Sequence, residues 1–291
     1  MPKLFEHYHF SLLERDQTDF LEPTMSREEW LKAKFGQAFE FRHMGKTLHW
    51  VPRDEVDRIL TAIVERKRVR VQHKSPEEGA AEFEGEEWQG SIVLIDPMHR
   101  PGGQKVAFED DPSVGQSSAI LASIVAHMNS NLAHQYTLHV NPIWRGDSFW
   151  KFAQKHGHKV AYVSFKFTVP NMIFGVGTKT TDGLKRIGKD TGGQEVDLRI
   201  ASDEGVDTRS EAVREGVEYA EEGNARVTSR AMNGDYFTST RKKMSAKMHS
   251  LLDLASMSKE RAKEWIEQAL GRDADSGDNG VDSDSPDLGR D

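Results

Sequence analysis

Two runs of basic residues have the residue types and spacing that best match a known chemistry, the binding of phosphate groups. The first lies in the segment RKRVRVQHK and the second in TRKKMSAKMH. Lys and Arg neutralise phosphates, and the planar guanidinium of Arg can bind two phosphate oxygens at once. We predict that nine residues of these runs contact a nucleic-acid backbone: Arg66, Lys67, Arg68, Arg70, Lys74, Arg241, Lys242, Lys243 and Lys247.

The first run alternates in a way that is typical of a β-strand. On a strand, Arg66, Arg68 and Arg70 would project from one face about 6.6 Å apart, which is comparable to the spacing of phosphates along a nucleic-acid strand. An alternative is that these arginines pair with the acidic residues 77–87 as a solvated surface. A third interpretation is that the acidic stretch occupies the arginine row until nucleic acid displaces it.

The second run falls in residues 238–270, whose pattern predicts a long helix with a break near residues 256–258. On a helix, Lys243 and Lys247 would lie four residues apart on one face. This face would either extend the phosphate-contacting surface or dock another subunit.

No catalytic motif in the sequence is complete. The chain has no Cys, which excludes disulfides, thiolate metal sites and cysteine nucleophiles. The segment GLKRIGKD nearly matches a phosphate-binding loop, but Asp190 stands where that motif needs Ser or Thr. Histidines form three close pairs without a third ligand at zinc-site spacing: His7 with His9, His127 with His134, and His156 with His158. We therefore predict no catalytic residue, no metal site and no cofactor.

A metal-dependent nuclease is an alternative of a different class. Such an enzyme needs a carboxylate upstream of an acidic-x-Lys motif. Glu65 with Lys67 matches this formally, with Asp54 or Asp57 before it, but both Asp fall on the exposed face of a predicted helix. Residues 109–111 form a denser carboxylate group with no Lys placed beside it.

The composition indicates a folded protein with a charged surface. No window reaches the roughly 18 apolar residues that span a bilayer, and the N-terminus lacks the apolar core of a signal peptide. The net charge is −8, but residues 272–291 hold seven Asp against two Arg, so the rest of the chain is close to neutral. This tail is predicted to be disordered because it has almost no apolar residues. We expect a cytoplasmic protein.

Hydrophobic periodicity predicts an α+β (or α/β) fold, in which alternating strands and helices form a mixed sheet with helices packed on it. Its clearest strand lies in residues 158–171. A helix is predicted at residues 53–64, another at 181–189, and a mobile acidic loop at 75–87. Ser26 is predicted to cap a short helix, and Ser258 to begin a new helix after the break near residues 256–258. The expected parts are an N-terminal α+β domain (1–100), an α/β sandwich domain (101–237), a C-terminal helical segment (238–270) and a disordered acidic tail (271–291).

The order of elements in residues 105–231 carries a resemblance to a known group. A strand and a long helix are followed by FWKFAQKHGHKVAYVSFKFTVPN, a glycine loop, GGQEVDLRIASDEG and EYAEEGNARVTSRA. This arrangement resembles bacterial phage-exclusion and defence proteins of the Rex A and Kiwa B type. The resemblance implies a cytoplasmic DNA-binding component, dimeric or larger, that works with a separately encoded membrane protein. It assigns no catalytic residue.

These observations together predict a non-enzymatic nucleic-acid-binding accessory or sensor protein in anti-phage defence. It would contact backbone phosphates without sequence readout, prefer DNA to RNA, form a homo-oligomer and not insert into a membrane itself. Two alternatives stay open, namely a metal-dependent nuclease and a structural or assembly protein that docks a partner subunit.

Overall fold

The computed structural model describes residues 3–15, 25–73, 75, 77, 79, 82–98, 103–168, 191, 193, 195–248 and 258–271. Of this part of the chain, 49% lies in strands and 28% in helices. The prediction of an α+β or α/β fold with a mixed sheet is therefore wrong. The fold is dominated by antiparallel β-structure. Several segments whose local sequence pattern predicts a helix or a loop are strands that pair within a sheet.

Twelve strands and five α-helices make up the described part. The strands are β1 (Lys3–Glu14), β2 (Phe39–His43), β3 (Lys46–Pro52), β4 (Leu60–His73), β5 (Glu82–Ile95), β6 (Gln104–Glu109), β7 (Tyr136–Pro142), β8 (Lys159–Thr168), β9 (Glu195–Asp207), β10 (Ala225–Ala231), β11 (Tyr236–Thr238) and β12 (Ser245–Met248). The helices are α1 (Arg27–Phe35), α2 (Ser117–Ser130), α3 (Asp147–Lys155), α4 (Glu211–Tyr219) and α5 (Lys259–Ala269).

The first sheet is a curled half-barrel in the order β12-β1-β6-β5-β4-β3-β2, and β7 also pairs with β1. Helices α1 and α2 pack on one of its faces and form the main core. Trp50 on β3 joins the two layers, because its indole N–H donates to the Phe35 carbonyl at 2.8 Å and the two rings lie 5.1 Å apart. Helix α1 begins at the predicted cap, where Ser26 and Glu29 form a capping box.

Helix α5 covers the opposite face of the first sheet. Because side chains alternate along β1, Phe5 points toward α5 whereas Tyr8 and Phe10 point into the main core. The Phe5 ring meets Trp265 edge-on at 5.3 Å. The predicted helix start at Ser258 is confirmed, since the Ser258 hydroxyl accepts a hydrogen bond from the Arg261 N–H.

The second sheet has the order β11-β10-β8-β9 and carries α3 and α4 on one face. The strand predicted in residues 158–171 is confirmed as β8 and lies at the centre of this sheet. Its apolar residues Val163, Phe165 and Phe167 are buried against the two helices. Its polar alternate residues therefore form the other face, together with residues of β9, β10 and β11.

The predicted helix at residues 53–64 is wrong. Asp57 and Arg58 have positive φ angles of 46° and 67°, and they form a tight turn closed by the bridge between Val56 and Ile59. Strand β4 begins directly afterwards. The apolar residues of this segment fit helical spacing, but those from Leu60 onward also fit the alternation of a strand, and sheet pairing selects the strand.

The acidic segment predicted as a mobile loop is also strand over much of its length. Residues 82–87 belong to β5, which pairs with β4 over fourteen positions from Leu60↔Ile95 to His73↔Glu82. The local composition disfavours a strand, but the acidic residues of β5 lie opposite a basic strand. Cross-strand charge pairs therefore offset the low β-propensity of this segment.

Residues 238–248 do not form an α-helix, so this part of the predicted helix 238–270 is wrong. They form the end of β11, a short 3-10 turn (Ser239–Arg241) and β12, which pairs with the start of β1. Residues 249–257 lie outside the described residues. So do Lys74, the helix predicted at 181–189 and the acidic tail from residue 272.

The first sheet draws its strands from three of the four predicted parts of the chain. Strands β1 to β5 come from residues 1–100, β6 and β7 from 101–237, and β12 from 238–270. The boundary proposed near residue 100 lies between β5 and β6, which pair with each other. Among the described residues, no helix is long and apolar enough to cross a membrane.

Candidate nucleic-acid interface

Arg66 and Arg68 of the first basic run lie on the inner face of β4. They continue the row of buried residues that includes Val64, and their guanidinium groups reach the turn before α2. Arg66 Nη1 donates to the Val114 carbonyl at 3.1 Å, and Arg68 Nη2 donates to the Ser113 carbonyl. The predicted strand is confirmed, but these two guanidinium groups hold the protein's own backbone.

Lys67 and Arg70 of the same run form ion pairs with the neighbouring strand. Lys67 Nζ lies 2.5 Å from Glu86 Oε1, and Arg70 Nε lies 3.2 Å from Glu87 Oε2. These pairs match the alternative in which the basic run faces the acidic segment as a solvated surface. Both pairs are largely exposed, so each contributes little to stability and neutralises much of the charge offered to a phosphate.

The second basic run is divided between solvent and a buried cluster. Arg241, Lys242 and Lys247 are exposed. The side chain of Lys243 is largely buried, and its ammonium lies 2.5 Å from Glu6 Oε2 and 3.0 Å from the Tyr8 hydroxyl. Because this segment is not a helix, Lys243 and Lys247 do not form the predicted pair four residues apart on a helix face.

The Glu6 carboxylate is the centre of a polar cluster that joins three parts of the chain. It accepts hydrogen bonds from Lys243, from the Tyr8 hydroxyl at 2.7 Å and from the hydroxyl of Ser117 at the start of α2. The Ser117 N–H in turn donates to Asp110 at 3.1 Å. The cluster thus ties β1, α2 and the segment before β12 together.

Burial and hydrogen bonding act in opposite directions on the acidic groups of this cluster. Burial is the largest influence on Glu6 and pushes its pKa up, but hydrogen bonds from Lys243, Ser117 and Tyr8 outweigh it, so the pKa lies below its usual value. Burial and the nearby Glu6 charge raise the pKa of Tyr8 far above its usual value. At neutral pH Glu6 is therefore a carboxylate and Tyr8 a neutral phenol.

The exposed face of the second sheet brings together aromatic and basic side chains that the sequence did not single out. Tyr236 on β11 is paired in register with Arg230 on β10, which is paired with Tyr162 on β8. Neighbouring strands lie about 4.8 Å apart, so the two tyrosines are roughly 10 Å apart with Arg230 between them. Arg199 on β9 completes the group, with its guanidinium carbon 4.2 Å from the centre of the Tyr162 ring.

These four residues, which we call the aromatic–arginine face, are accessible to a ligand. Tyr236 is 53% exposed, Arg199 and Arg230 are exposed, and Tyr162 is half-buried. Within the described residues neither Arg199 nor Arg230 forms an ion pair, whereas the neighbouring Lys166 pairs with Glu195 at 2.7 Å. The two guanidinium charges are therefore available to an anion.

The first sheet closes one end of the aromatic–arginine face. Arg226 Nη2 donates to the Val140 carbonyl at 2.8 Å, and Asn141 Nδ2 donates to the Thr168 hydroxyl at 3.1 Å. These contacts hold β7 against the ends of β8 and β10. The other end, with Tyr162 and Arg230, is left open.

Glu109, Asp111 and His7, which were considered for a nuclease or a metal site, make structural contacts instead. Glu109 is buried and pairs with Lys3 at 2.8 Å, and Asp111 accepts a hydrogen bond from the Ser113 N–H within its own turn. Nε2 of His7 lies 2.8 Å from the Ala269 carbonyl, and burial lowers its pKa. In the part of the chain that the structure describes, no three His, Asp or Glu side chains form a group that could hold a metal ion.

Sequence comparison adds no relative to this description. No protein-family model matches the chain, and a search of the curated proteins finds no significant match.

Proposed function

We propose that this protein is a non-enzymatic nucleic-acid-binding protein that holds a single strand across the aromatic–arginine face. The observation that supports this most strongly is the row Tyr162, Arg230 and Tyr236 on an open sheet face, with Arg199 stacked on its end. Proteins that bind single strands combine aromatic side chains, on which bases stack, with cations that track the backbone.

The geometry favours a single strand over a duplex. A base offers its flat face to Tyr236 or Tyr162 only when it is not stacked within a helix. The roughly 10 Å between the two rings leaves room for a guanidinium that can pair with a phosphate or stack on a base. Stacking and phosphate pairing are tolerant of sequence, which agrees with the expected absence of sequence readout.

Charge also favours this face over the first basic run. On β4 the guanidinium groups of Arg66 and Arg68 bind carbonyls, and Lys67 and Arg70 face Glu86 and Glu87. A phosphate arriving there would have to displace these partners. Arg199 and Arg230 have no acidic partner to displace among the described residues.

Fluorescence anisotropy with a labelled random-sequence single strand and the matching duplex tests the proposal. We expect the single strand to bind more tightly, with an affinity that falls steeply between 50 and about 200 mM salt because counterions are released. Equal binding of strand and duplex, or no binding at low salt, would contradict it.

Substitutions on the face locate the binding surface. Replacing both Arg199 and Arg230 by Ala should weaken binding by roughly tenfold or more. Arg214→Ala is the matched control for Arg199→Ala and Arg230→Ala made singly, because Arg214 is exposed on α4 in the opposite layer and each of these variants removes one positive charge. Tyr236→Leu should weaken binding by about tenfold through lost stacking, whereas Tyr236→Phe should keep it.

The same oligonucleotide separates the alternative functions. A metal-dependent nuclease would cut the strand when magnesium is added and stop when the metal is chelated. A purely structural or assembly protein would show no salt-dependent binding at all. The role in anti-phage defence and the separately encoded membrane partner rest on the resemblance and stay predictions.

A further inference from the structure

The distal halves of β4 and β5 form a two-stranded ribbon with two free edges. Strand β3 pairs with β4 only as far as Glu65, and β6 pairs with β5 only as far as Val93. Beyond these positions, β4 and β5 have no other strand partner among the described residues. An isolated two-stranded ribbon is marginally stable in water, so such an arm gains from covering one of its faces.

The outer face of this ribbon exposes large apolar side chains. Val69 is 57%, Val71 58% and Trp88 51% exposed, and all three project from the same side. The Trp88 ring is held in place by His49, which meets it edge-on at 5.2 Å. The inner face, in contrast, is used by the arginines that bind the turn before α2. The outer face is thus exposed and carries three large apolar side chains.

Charge is distributed unequally between the two strands of this face. On β4 the outward residues are Lys67, Val69 and Val71, and on β5 the residues opposite them are Trp88, Glu86 and Glu84. One side of the face is therefore basic and apolar, and the other is acidic and aromatic. The glutamates disfavour nucleic acid as the occupant.

We propose that a second copy of this chain covers the outer face of the ribbon, related by a two-fold axis that runs along the ribbon between the two molecules. Such a rotation lays β4 of each copy over β5 of the other. Lys67 of each copy then meets Trp88 and Glu86 of the other copy, so the same contact is made twice. Under this symmetry the basic strand β4 of each copy faces the acidic strand β5 of the other, so the face is complementary to itself. A simple translation would place strands of like charge over each other.

Charge reversal at two positions tests this arrangement. Lys67→Glu makes the face acidic on both strands, and Glu86→Lys makes it basic on both. In each homodimer like charges would meet, so each variant alone should dimerise at least roughly tenfold more weakly than the wild type. In an equimolar mixture, Glu at position 67 of one variant faces Lys at position 86 of the other, and the second contact keeps its native pair.

Sedimentation velocity over a concentration series is the measurement. We expect the wild type to dimerise, each variant to shift toward monomer, and the mixture to recover a species of dimer mass. The recovery on mixing is decisive because each variant also loses its internal pair between positions 67 and 86, and mixing cannot restore that pair. Circular dichroism of each variant establishes that it is folded.

A second variant is independent of charge. Val69→Thr with Val71→Thr keeps the β-branched shape that suits a strand and removes apolar contact area, so it should also weaken the dimer. A wild-type protein that stays monomeric at every concentration overturns the proposal and leaves the face to a different partner. Dimerisation that is unchanged by all three variants, or variants that fail to recover on mixing, also overturns it. Oligonucleotide binding by the second sheet is a separate measurement.

Discussion

Lys243→Met removes the ammonium beside the Glu6 carboxylate and keeps an unbranched side chain that fills similar space. In the native protein this carboxylate accepts hydrogen bonds from Lys243, Tyr8 and Ser117. The side chains of both Glu6 and Lys243 are only 14% exposed. The substitution therefore leaves a largely buried negative charge without its cation.

The expected cost follows from this burial. Removing one partner of a fully buried ion pair costs 3–5 kcal/mol. Here the residual exposure admits some water, and two hydroxyl groups still donate to the carboxylate. We therefore expect Lys243→Met to lower the free energy of unfolding by about 2 kcal/mol at pH 7.

The cost should shrink as the pH falls. The pKa of Glu6 in the folded protein is lower than its usual value, so its contribution to stability is present above the usual pKa of Glu and is lost as the pH falls through the folded pKa. Lys243→Met raises that folded pKa, because burial remains and the strongest opposing hydrogen bond is gone. The two proteins should therefore approach each other in stability at acidic pH.

Urea denaturation at pH 7 and near pH 4 measures both effects. The matched control is Lys243→Met in a Glu6→Gln background, in which the buried acceptor is neutral and loss of the ammonium should cost about 1 kcal/mol less. The reasoning is refuted if Lys243→Met costs nothing at pH 7, or if its cost is the same in both backgrounds.

Three further predictions concern packing and capping, each measured by urea denaturation. Ser26→Ala removes the capping box with Glu29 and should cost about 1 kcal/mol, whereas Ser26→Asp should retain most of the stability. Trp265→Ala takes a ring away from Phe5 and should cost about 3–5 kcal/mol. Gly216→Ala places a Cβ 2.7 Å from the Phe165 ring and should cost about 1–3 kcal/mol, whereas Gly→Ala at an open helix site stabilises a protein; unchanged or raised stability would therefore contradict the close packing of α4 on β8.

Local signals located most elements but not the class of fold. The caps at Ser26 and Ser258 and the alternation in β8 were sufficient, because each depends on neighbouring residues alone. Strand β12 depends on β1, a partner far away in sequence, and the acidic part of β5 depends on its pairing with the preceding strand β4. Strand pairing of this kind overrides local propensity, and the protein is mostly β as a result.

The candidate site could be predicted only in part for the same reason. The basic run on β4 was visible as a pattern, and pairing with the acidic segment was one interpretation of it, but the contacts of Arg66 and Arg68 with the turn before α2 could not be predicted. Conversely, Tyr162, Arg199, Arg230 and Tyr236 come from four strands, and they meet only through the order β11-β10-β8-β9. Polar side chains alternate with apolar ones in β8 and β10, as expected of strands with one exposed face, but nothing local indicates which strands lie side by side.

Photochemical cross-linking of a single strand that contains iodouracil, followed by mass spectrometry of the linked peptides, tests the central claim most directly. Because a base stacked on an aromatic ring reacts with it, we predict cross-links at Tyr162 and Tyr236, lost on addition of unlabelled single strand. Cross-links confined to the β4–β5 ribbon, or no cross-linked peptide from the second sheet at saturating oligonucleotide, would contradict the account.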